Sequence, residues 1–138
     1  MLGPHPDYVV LIVGDVDRSV AFYTEVLGLE LGHHAGTYAQ LATGATRVGL
    51  YDRSAMSAIL GRPLAPADPN RPGFELGFKV EDCDAACAEL VRRGAHLASS
   101  PADRPWGQRT AYVADPDGYL VELAAPLSAP TSPSSARP

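Results

Sequence analysis

The chain is poor in cysteine, in aromatic side chains and in basic residues. Its 138 residues include two Cys, 7% aromatic residues, and 11 Lys or Arg against 16 Asp or Glu, which leaves a formal net charge of -5. The basic residues are scattered along the chain, whereas a protein that tracks nucleic-acid phosphates needs them clustered. We therefore expect no nucleic-acid partner.

Long apolar runs are absent as well. A helix that crosses a bilayer needs about 20 consecutive apolar residues, and the longest runs here have the length of a strand. The first residues, Met1–Pro6, lack the basic segment and apolar stretch of a secretion signal. We expect no membrane partner and a cytoplasmic location.

The two cysteines, Cys83 and Cys87, are four positions apart. This spacing suits a metal or redox pair on one helical face, and it equally suits two small apolar residues on a buried helical stripe. A chain of this length buries roughly 70% of its unfolded surface, so it needs neither a disulfide nor a structural metal for stability.

An internal repeat decides between these interpretations. The apolar and acidic pattern of Val13–Asp17 returns 67 positions later. By this offset Cys83 and Cys87 correspond to Val16 and Val20, which lie on the apolar stripe of a predicted helix. The two cysteines are therefore interpreted as small buried hydrophobic residues.

Both copies of the repeat predict the same order of elements. The first begins with a β-branched strand, Tyr8–Val13, and a helix of about three turns that is capped by Asp15 and terminated by Gly28. Three strands follow, at 29–33, 38–42 and 47–52. The second copy predicts a strand at 75–80, a helix at 82–93, and strands at 95–98, 108–114 and 119–124. The sequence thus predicts an α+β fold of two tandem βαβββ modules.

We expect these modules to form a single domain over residues 1–126. Module one covers about 7–52 and module two about 74–126. The connector at 53–73 is proline-rich, and one helical turn is predicted over Ser54–Leu60. The tail at 127–138 is predicted to be disordered, because it has too little apolar surface to offset the entropy lost on ordering.

Two motifs carry a family resemblance. The run Asp15–Tyr23 leads to Leu27–Leu29, and the run Asp115–Leu123 begins with an Asp-Pro-Asp-Gly turn. With the paired modules, they resemble the vicinal oxygen chelate superfamily, which includes glyoxalases, extradiol dioxygenases, fosfomycin-modifying enzymes and bleomycin-resistance proteins. The resemblance covers about residues 7–126. It implies that each sheet curls into a half-open barrel and that the protein is a homodimer.

The resemblance also implies where a divalent metal would bind. Metal-using members take ligands from the first and last strands of each module, and these positions hold Tyr8, Glu75, Glu122 and a residue near Gly49. A catalytic site normally uses three or four protein ligands, but these positions offer two carboxylates and no imidazole. No metal or other cofactor is therefore the preferred expectation. The alternative is a metal held by Glu75 and Glu122 with help from Tyr8 or His33.

The second module contains the only tryptophan, Trp106. The segment Trp106-Gly107-Gln108-Arg109 resembles the corresponding part of mitomycin- and bleomycin-resistance proteins, which bind drugs without chemistry. At a strand entrance, Trp106 can cover a pocket mouth or stack on a planar ligand, or it can cap the module core. Arg109 is a candidate partner for a ligand carboxylate or for Glu122, and alternatively a structural charge.

Three tyrosines complete the expected ligand-binding set. Tyr38 and Tyr51 lie on neighbouring strands of the first module, and Tyr112 lies on a middle strand of the second. Alternation along a strand places Tyr51 on the same face as Gly49. We therefore expect the Tyr51 ring to fill the space of the missing ligand side chain. Tyr8, Glu75 and Glu122 belong to the same predicted ligand-binding set.

Together, these features favour a non-catalytic protein that binds an apolar or aromatic natural product and confers antibiotic resistance by sequestration. The alternative is a divalent-metal-dependent lyase, isomerase or dioxygenase of the same superfamily. If the protein is an enzyme, Glu75 and Glu122 are its candidate catalytic residues, and either can act as a general base without metal if the pKa of a carboxyl in apolar surroundings rises.

Overall fold

The computed structural model describes residues 2–127. The chain divides into two compact units, the first ending at Asp68 and the second beginning at Pro69. Residues 128–138, which make up most of the predicted disordered tail, lie outside the described range. Leu127, the first residue of that predicted tail, donates its backbone N–H to the carbonyl of Gly107 at 3.0 Å. In residues 2–127, no helix has the length and apolar content required to cross a membrane.

The first unit contains one four-stranded mixed sheet and two helices. Its elements are β1 (Tyr8–Val13), α1 (Val16–Ala21), β2 (Leu31–Ala35), β3 (Tyr38–Leu41), β4 (Arg47–Asp52) and α2 (Arg53–Leu60). The strand order is β1-β4-β3-β2, with β1 parallel to β4 and the other pairs antiparallel. Leu11, Val13, Leu41 and Leu50 are almost fully buried in the core of this unit.

The predicted first helix changes its winding halfway. Asp15 caps α1 by accepting the N–H of Arg18 at 3.1 Å, but Phe22–Val26 forms a π-helical turn. This turn closes with a bond from the Leu27 N–H to the Phe22 carbonyl at 3.0 Å. Phe22 and Tyr23 are both buried. Their rings meet edge to face, with 5.1 Å between the ring centres. The wider turn accompanies the burial of two adjacent rings.

The second unit repeats the architecture of the first. Its elements are β5 (Glu75–Lys79), α3 (Cys83–Arg92), β6 (His96–Asp103), β7 (Gln108–Ala114) and β8 (Leu120–Pro126). The strand order is β5-β8-β7-β6, with β5 parallel to β8. Cys83 and Cys87 are free and buried, so their interpretation as small core residues is confirmed.

The pairing register is repeated as well as the order of the strands. Val10 of β1 lies opposite Gly49 of β4, and Gly77 of β5, 67 positions after Val10, lies opposite Glu122 of β8. Gly49 and Glu122 are therefore structural equivalents. The predicted α+β fold of two βαβββ modules is confirmed, and each sheet remains open.

Several predicted boundaries differ from the structure, and three of the differences have a structural explanation or are large. β6 continues to Asp103 although Pro101 lies within it, because β6 is an edge strand and its register shifts between Ser99 and Ala102, where a missing N–H is tolerated. β2 begins at Leu31 instead of residue 29, since the N–H of Leu29 bonds the carbonyl of Tyr23. α2 has eight residues rather than a single turn.

Candidate functional site

Strand β7 of the second unit carries three polar side chains that form hydrogen bonds with neighbouring side chains. Gln108, Thr110 and Tyr112 alternate along β7 and therefore point to the same side of the sheet. The intervening residues Ala111 and Val113 are fully buried, on the side where α3 packs. We call the opposite side, which carries Glu75, Gln108, Thr110, Tyr112 and Glu122, the site face.

Each alternating residue on β7 forms a hydrogen bond with a neighbouring side chain. Gln108 Oε1 accepts the indole N–H of Trp106 at 2.9 Å. Thr110 Oγ1 accepts the Nε–H of Arg104 at 2.7 Å. The hydroxyl of Tyr112 donates to Oε2 of Glu122 at 2.9 Å. β7 therefore orients an aromatic ring, a cation and a carboxyl group on one side of the sheet.

The hairpin loop between β6 and β7 fixes the position of Trp106. The Gly107 N–H bonds the Arg104 carbonyl at 3.1 Å, and the Arg104 N–H bonds the Gln108 carbonyl at 2.7 Å. Gly107 has a φ of 95°, which a glycine adopts without the strain that a side chain would bring. This three-residue loop of Pro105, Trp106 and Gly107 holds a half-buried indole at the end of the site face.

Glu122 is buried although it is an acid, with 5% of its surface exposed. Besides the Tyr112 hydroxyl, its surroundings include Gly77, where an added Cβ would lie 3.1 Å from Oε1 of Glu122. The glycine thus leaves room for the carboxyl group. Glu75 lies on the same side of the sheet, one alternating position before Gly77, and is only half-buried.

The first unit carries a cluster of three tyrosines on the corresponding side of its sheet. The Arg47 guanidinium carbon lies 4.7 Å from the centre of the Tyr8 ring, and the rings of Tyr38 and Tyr51 meet edge to face at 6.1 Å. The Tyr38 hydroxyl donates to Gln40 Oε1 at 2.9 Å. We call Tyr8, Tyr38 and Tyr51 the tyrosine face.

Tyr38, and not Tyr51, covers the position equivalent to Glu122. A Cβ added to Gly49 would lie 2.7 Å from the Tyr38 hydroxyl and 3.0 Å from its ring. The expectation that the Tyr51 ring fills this space is therefore corrected. Tyr38 is the diagonal neighbour of Gly49 across the strand pair, and such neighbours are within reach of an aromatic ring. Burial raises the pKa of Tyr38, so its hydroxyl stays protonated at neutral pH.

Arg109 lies on the opposite side of the second sheet from Tyr112. Its Nε donates to Asp84 of α3 at 3.1 Å and its Nη1 to Asp103 of β6 at 2.9 Å. The hydrogen bonds to Asp103 and Asp84 raise the pKa of Arg109. Arg109 thus links α3 to β6 and β7, as expected for a structural charge. This was the alternative interpretation of Arg109 in the sequence.

The expected metal-ligand positions have the following surroundings in each unit. Across residues 2–127, no group of three or more His, Cys, Asp or Glu side chains lies close enough to hold a metal ion. In the first unit, Arg47 lies over the Tyr8 ring, and His33 is exposed on β2. In the second, Glu122 accepts the Tyr112 hydroxyl. Glu122 and Glu75 are thus the carboxylates of the second unit that remain at the expected ligand positions.

The structure adds two residues that the sequence did not single out, Arg104 and Thr110. Thr110 is the alternating neighbour of Tyr112 on β7, and Arg104 immediately precedes the three-residue loop that contains Trp106. Alternation along β7 gives the shared direction of Thr110 and Tyr112. The contact with Arg104 depends on how the β6–β7 loop closes.

Comparison with known proteins agrees with this architecture. The family model of the Glyoxalase/Bleomycin resistance protein/Dioxygenase superfamily matches residues 5–123. An uncharacterized protein of Bacillus subtilis is 34% identical over 82% of this chain and 91% of its own length. A probable lactoylglutathione lyase of Vibrio cholerae is 28% identical (84% and 86% covered). A bleomycin resistance protein of Geobacillus stearothermophilus is 29% identical (82% and 90% covered).

Solved structures give the same result. A glyoxalase/bleomycin resistance protein/dioxygenase from Nocardioides superposes with a TM-score of 0.80 at 26% identity, over 94% of this chain and 88% of its own. TnmS3, an antibiotic binding protein from Streptomyces sp. CB03234, superposes with a TM-score of 0.67 at 27% identity, over 91% and 98%. The repeated modules, the shared register and these matches together show that the chain belongs to the Glyoxalase/Bleomycin resistance protein/Dioxygenase superfamily.

Proposed function

We propose that this protein binds a planar, largely apolar natural product without transforming it and confers antibiotic resistance by sequestration. The observation that carries the proposal is the row of hydrogen bonds along β7, which fixes the half-buried Trp106 indole beside the site face. An indole oriented before binding loses little entropy when a flat ligand stacks on it. The bleomycin resistance protein and the antibiotic binding protein among the similar proteins support this class of ligand.

The tyrosine face supports the same proposal from the first unit. Tyr8 and Tyr51 are partly or largely exposed, and Tyr38 contacts Tyr51 ring to ring. Aromatic side chains bring a large contact area with few rotatable bonds. The tyrosine face therefore offers a second apolar surface suited to a ring system. We propose that Tyr8, Tyr38 and Tyr51 contribute to binding of the natural product.

Because Trp106 is the only tryptophan, its fluorescence reports directly on the site face. Titration with a panel of glycopeptide, quinone and enediyne compounds is expected to quench that fluorescence with a micromolar or lower Kd for at least one class. A Phe22→Leu variant, which is altered in the core of the first unit and not on the site face, shows how far a general loss of structure changes the quenching. An absence of any quenching at micromolar ligand contradicts the proposal.

We also propose that the protein works as a homodimer in the cytoplasm without a bound cofactor. The proposal of a homodimer rests on the family resemblance stated above. Both sheets of this chain are open, as the resemblance implies. Sedimentation equilibrium is expected to give twice the chain mass of 14.5 kDa. A monomer at all concentrations tested would contradict the proposed homodimer. It would not bear on ligand binding, which the fluorescence titration tests separately.

A superfamily lyase, isomerase or dioxygenase is the second candidate, and one observation favours it. The buried Glu122 is held in place by Tyr112, and one relative is a probable lactoylglutathione lyase. Elemental analysis of protein purified without chelator separates the candidates. Stoichiometric nickel, zinc, manganese or iron overturns the metal-free proposal, whereas a metal content far below one ion per chain contradicts a metal-dependent enzyme.

A further inference from the structure

The Arg104 guanidinium is half-buried on the site face, and no carboxylate of the described residues pairs with it. Its Nε donates to Thr110 Oγ1 at 2.7 Å, and its guanidinium carbon lies 5.9 Å from the centre of the Tyr112 ring. Within residues 2–127, Arg104 forms no ion pair. Because Nε is the only guanidinium nitrogen of Arg104 that is bonded within the described part of the chain, both terminal nitrogens remain as donors for another molecule.

The site face holds Arg104 in place without neutralising it. Thr110, which accepts the Nε–H, is fully buried and therefore cannot move with the guanidinium. The backbone of Arg104 is fixed by the two hydrogen bonds of the Trp106 loop. The ring of Tyr112 lies beside the guanidinium, where a cation is stabilised by the aromatic quadrupole. Arg104 is thus an ordered cation and differs from a mobile surface arginine.

The neighbouring acids are bonded to other groups. The adjacent Asp103 points to the other side of the strand and bonds Arg109. Glu122 accepts the hydroxyl of Tyr112 and is 5% exposed. Neither lies within ion-pair distance of Arg104. The favourable site for an anionic oxygen on this face is consequently the pair of terminal nitrogens of Arg104.

We propose that Arg104 determines ligand specificity by binding an acidic oxygen, such as a carboxylate or an ionised enol, on the rim of an aromatic ligand that stacks on Trp106. This inference rests on the proposed binding function and names its ligand class. The Trp106 indole bonds Gln108 and the Arg104 guanidinium bonds Thr110, and these are neighbouring positions on one side of β7. A single planar acid can therefore contact the indole with its ring and the guanidinium with its edge.

The test uses two probes of equal shape, anthraquinone-2-carboxylate and its neutral amide, with quenching of Trp106 fluorescence as the signal. Wild type is expected to bind the acid about tenfold more tightly than the amide, because charge-assisted bonds from arginine are about twice as strong as neutral ones. In Arg104→Gln this ratio is expected to fall to about one, while amide affinity changes less than about twofold. Arg18→Gln, an exposed arginine of α1, makes the same change in net charge and is expected to keep the ratio.

The outcomes separate this proposal from the binding function. If neither probe binds wild type, the proposed binding of planar natural products fails for this ring class. If both bind equally, or if Arg104→Gln retains the ratio, binding stands and the role of Arg104 is wrong. Should Arg104→Gln fail to fold, Arg104→Lys keeps the charge without the planar fork, and a ratio equal to that of wild type would contradict recognition by two terminal nitrogens.

Discussion

The close approach of Tyr38 to Gly49 makes the absence of a side chain at Gly49 structurally necessary. In Gly49→Ala the new Cβ would lie 2.7 Å from the Tyr38 hydroxyl, so the ring must move and its bond to Gln40 is lost. We expect a decrease of about 1–3 kcal/mol in the free energy of unfolding, the usual cost of overpacking. Urea denaturation measures it.

Gly73→Ala is the matched control for this substitution, since nothing lies within 4 Å of an added Cβ there. Tyr38→Phe in the Gly49→Ala background removes the oxygen in closest contact and is expected to restore part of the loss. Equal stability of Gly49→Ala and the control would show that Tyr38 does not occupy the space above Gly49.

At the scale of elements, the β7–β8 turn rests on Asp115 and Gly118. The buried carboxylate of Asp115 accepts the N–H groups of Asp117 at 2.9 Å and Tyr119 at 2.8 Å. Gly118 has a φ of 90°, and an added Cβ would lie 2.7 Å from Pro69. Gly118→Ala therefore combines backbone strain with a steric clash.

Gly44→Ala separates these two costs, because Gly44 has a φ of 92° and open space around it. We expect Gly44→Ala to lose about 1–2 kcal/mol from backbone strain alone, and Gly118→Ala to lose a further 1–3 kcal/mol, roughly, from overpacking. Thermal unfolding of both variants measures the difference. Equal losses of stability in the two variants would show that the turn accommodates the Cβ at position 118 without a clash with Pro69.

The sequence predicted elements better than it predicted contacts. The Asp15 cap and the strand alternation identify local structure, because each depends on a few neighbouring residues. β6 extends past its predicted end at residue 98 and includes Pro101, which is acceptable there because β6 lies at the edge of the sheet. Alternation places both Tyr38 and Tyr51 on one face, but the diagonal contact with Gly49 depends on strand register and side-chain rotamer.

At the scale of the molecule, both thiols and the single indole belong to the second unit. Burial, with a smaller contribution from Asp84, raises the pKa of the Cys83 and Cys87 thiols above 9.0. The folded state thus favours the protonated thiols, and the stability this provides is full below pH 9 and declines as pH rises through the higher folded-state pKa. We expect the urea midpoint of unfolding to fall as the pH rises above 9.

Thiol labelling checks this expectation directly. At pH 8, native protein is expected to react with Ellman's reagent far more slowly than protein in guanidinium, because only thiolate reacts and both sulfurs are shielded. A Cys83→Val, Cys87→Val variant, which copies the apolar stripe of the first helix, is expected to lose the alkaline decline. Rapid labelling of native protein would contradict the burial of these side chains.

The two-sided character of β7 has a consequence for how such a protein diversifies. Positions 108, 110 and 112 contact the partners on the site face, while 109, 111 and 113 face the helix side. If the proposed binding function holds, ligand preference can change through alternate positions of this one strand while the packing residues between them stay the same. Randomising positions 108 and 112 would change the partners of Trp106 and Glu122 and leave the helix-facing residues of β7 as they are.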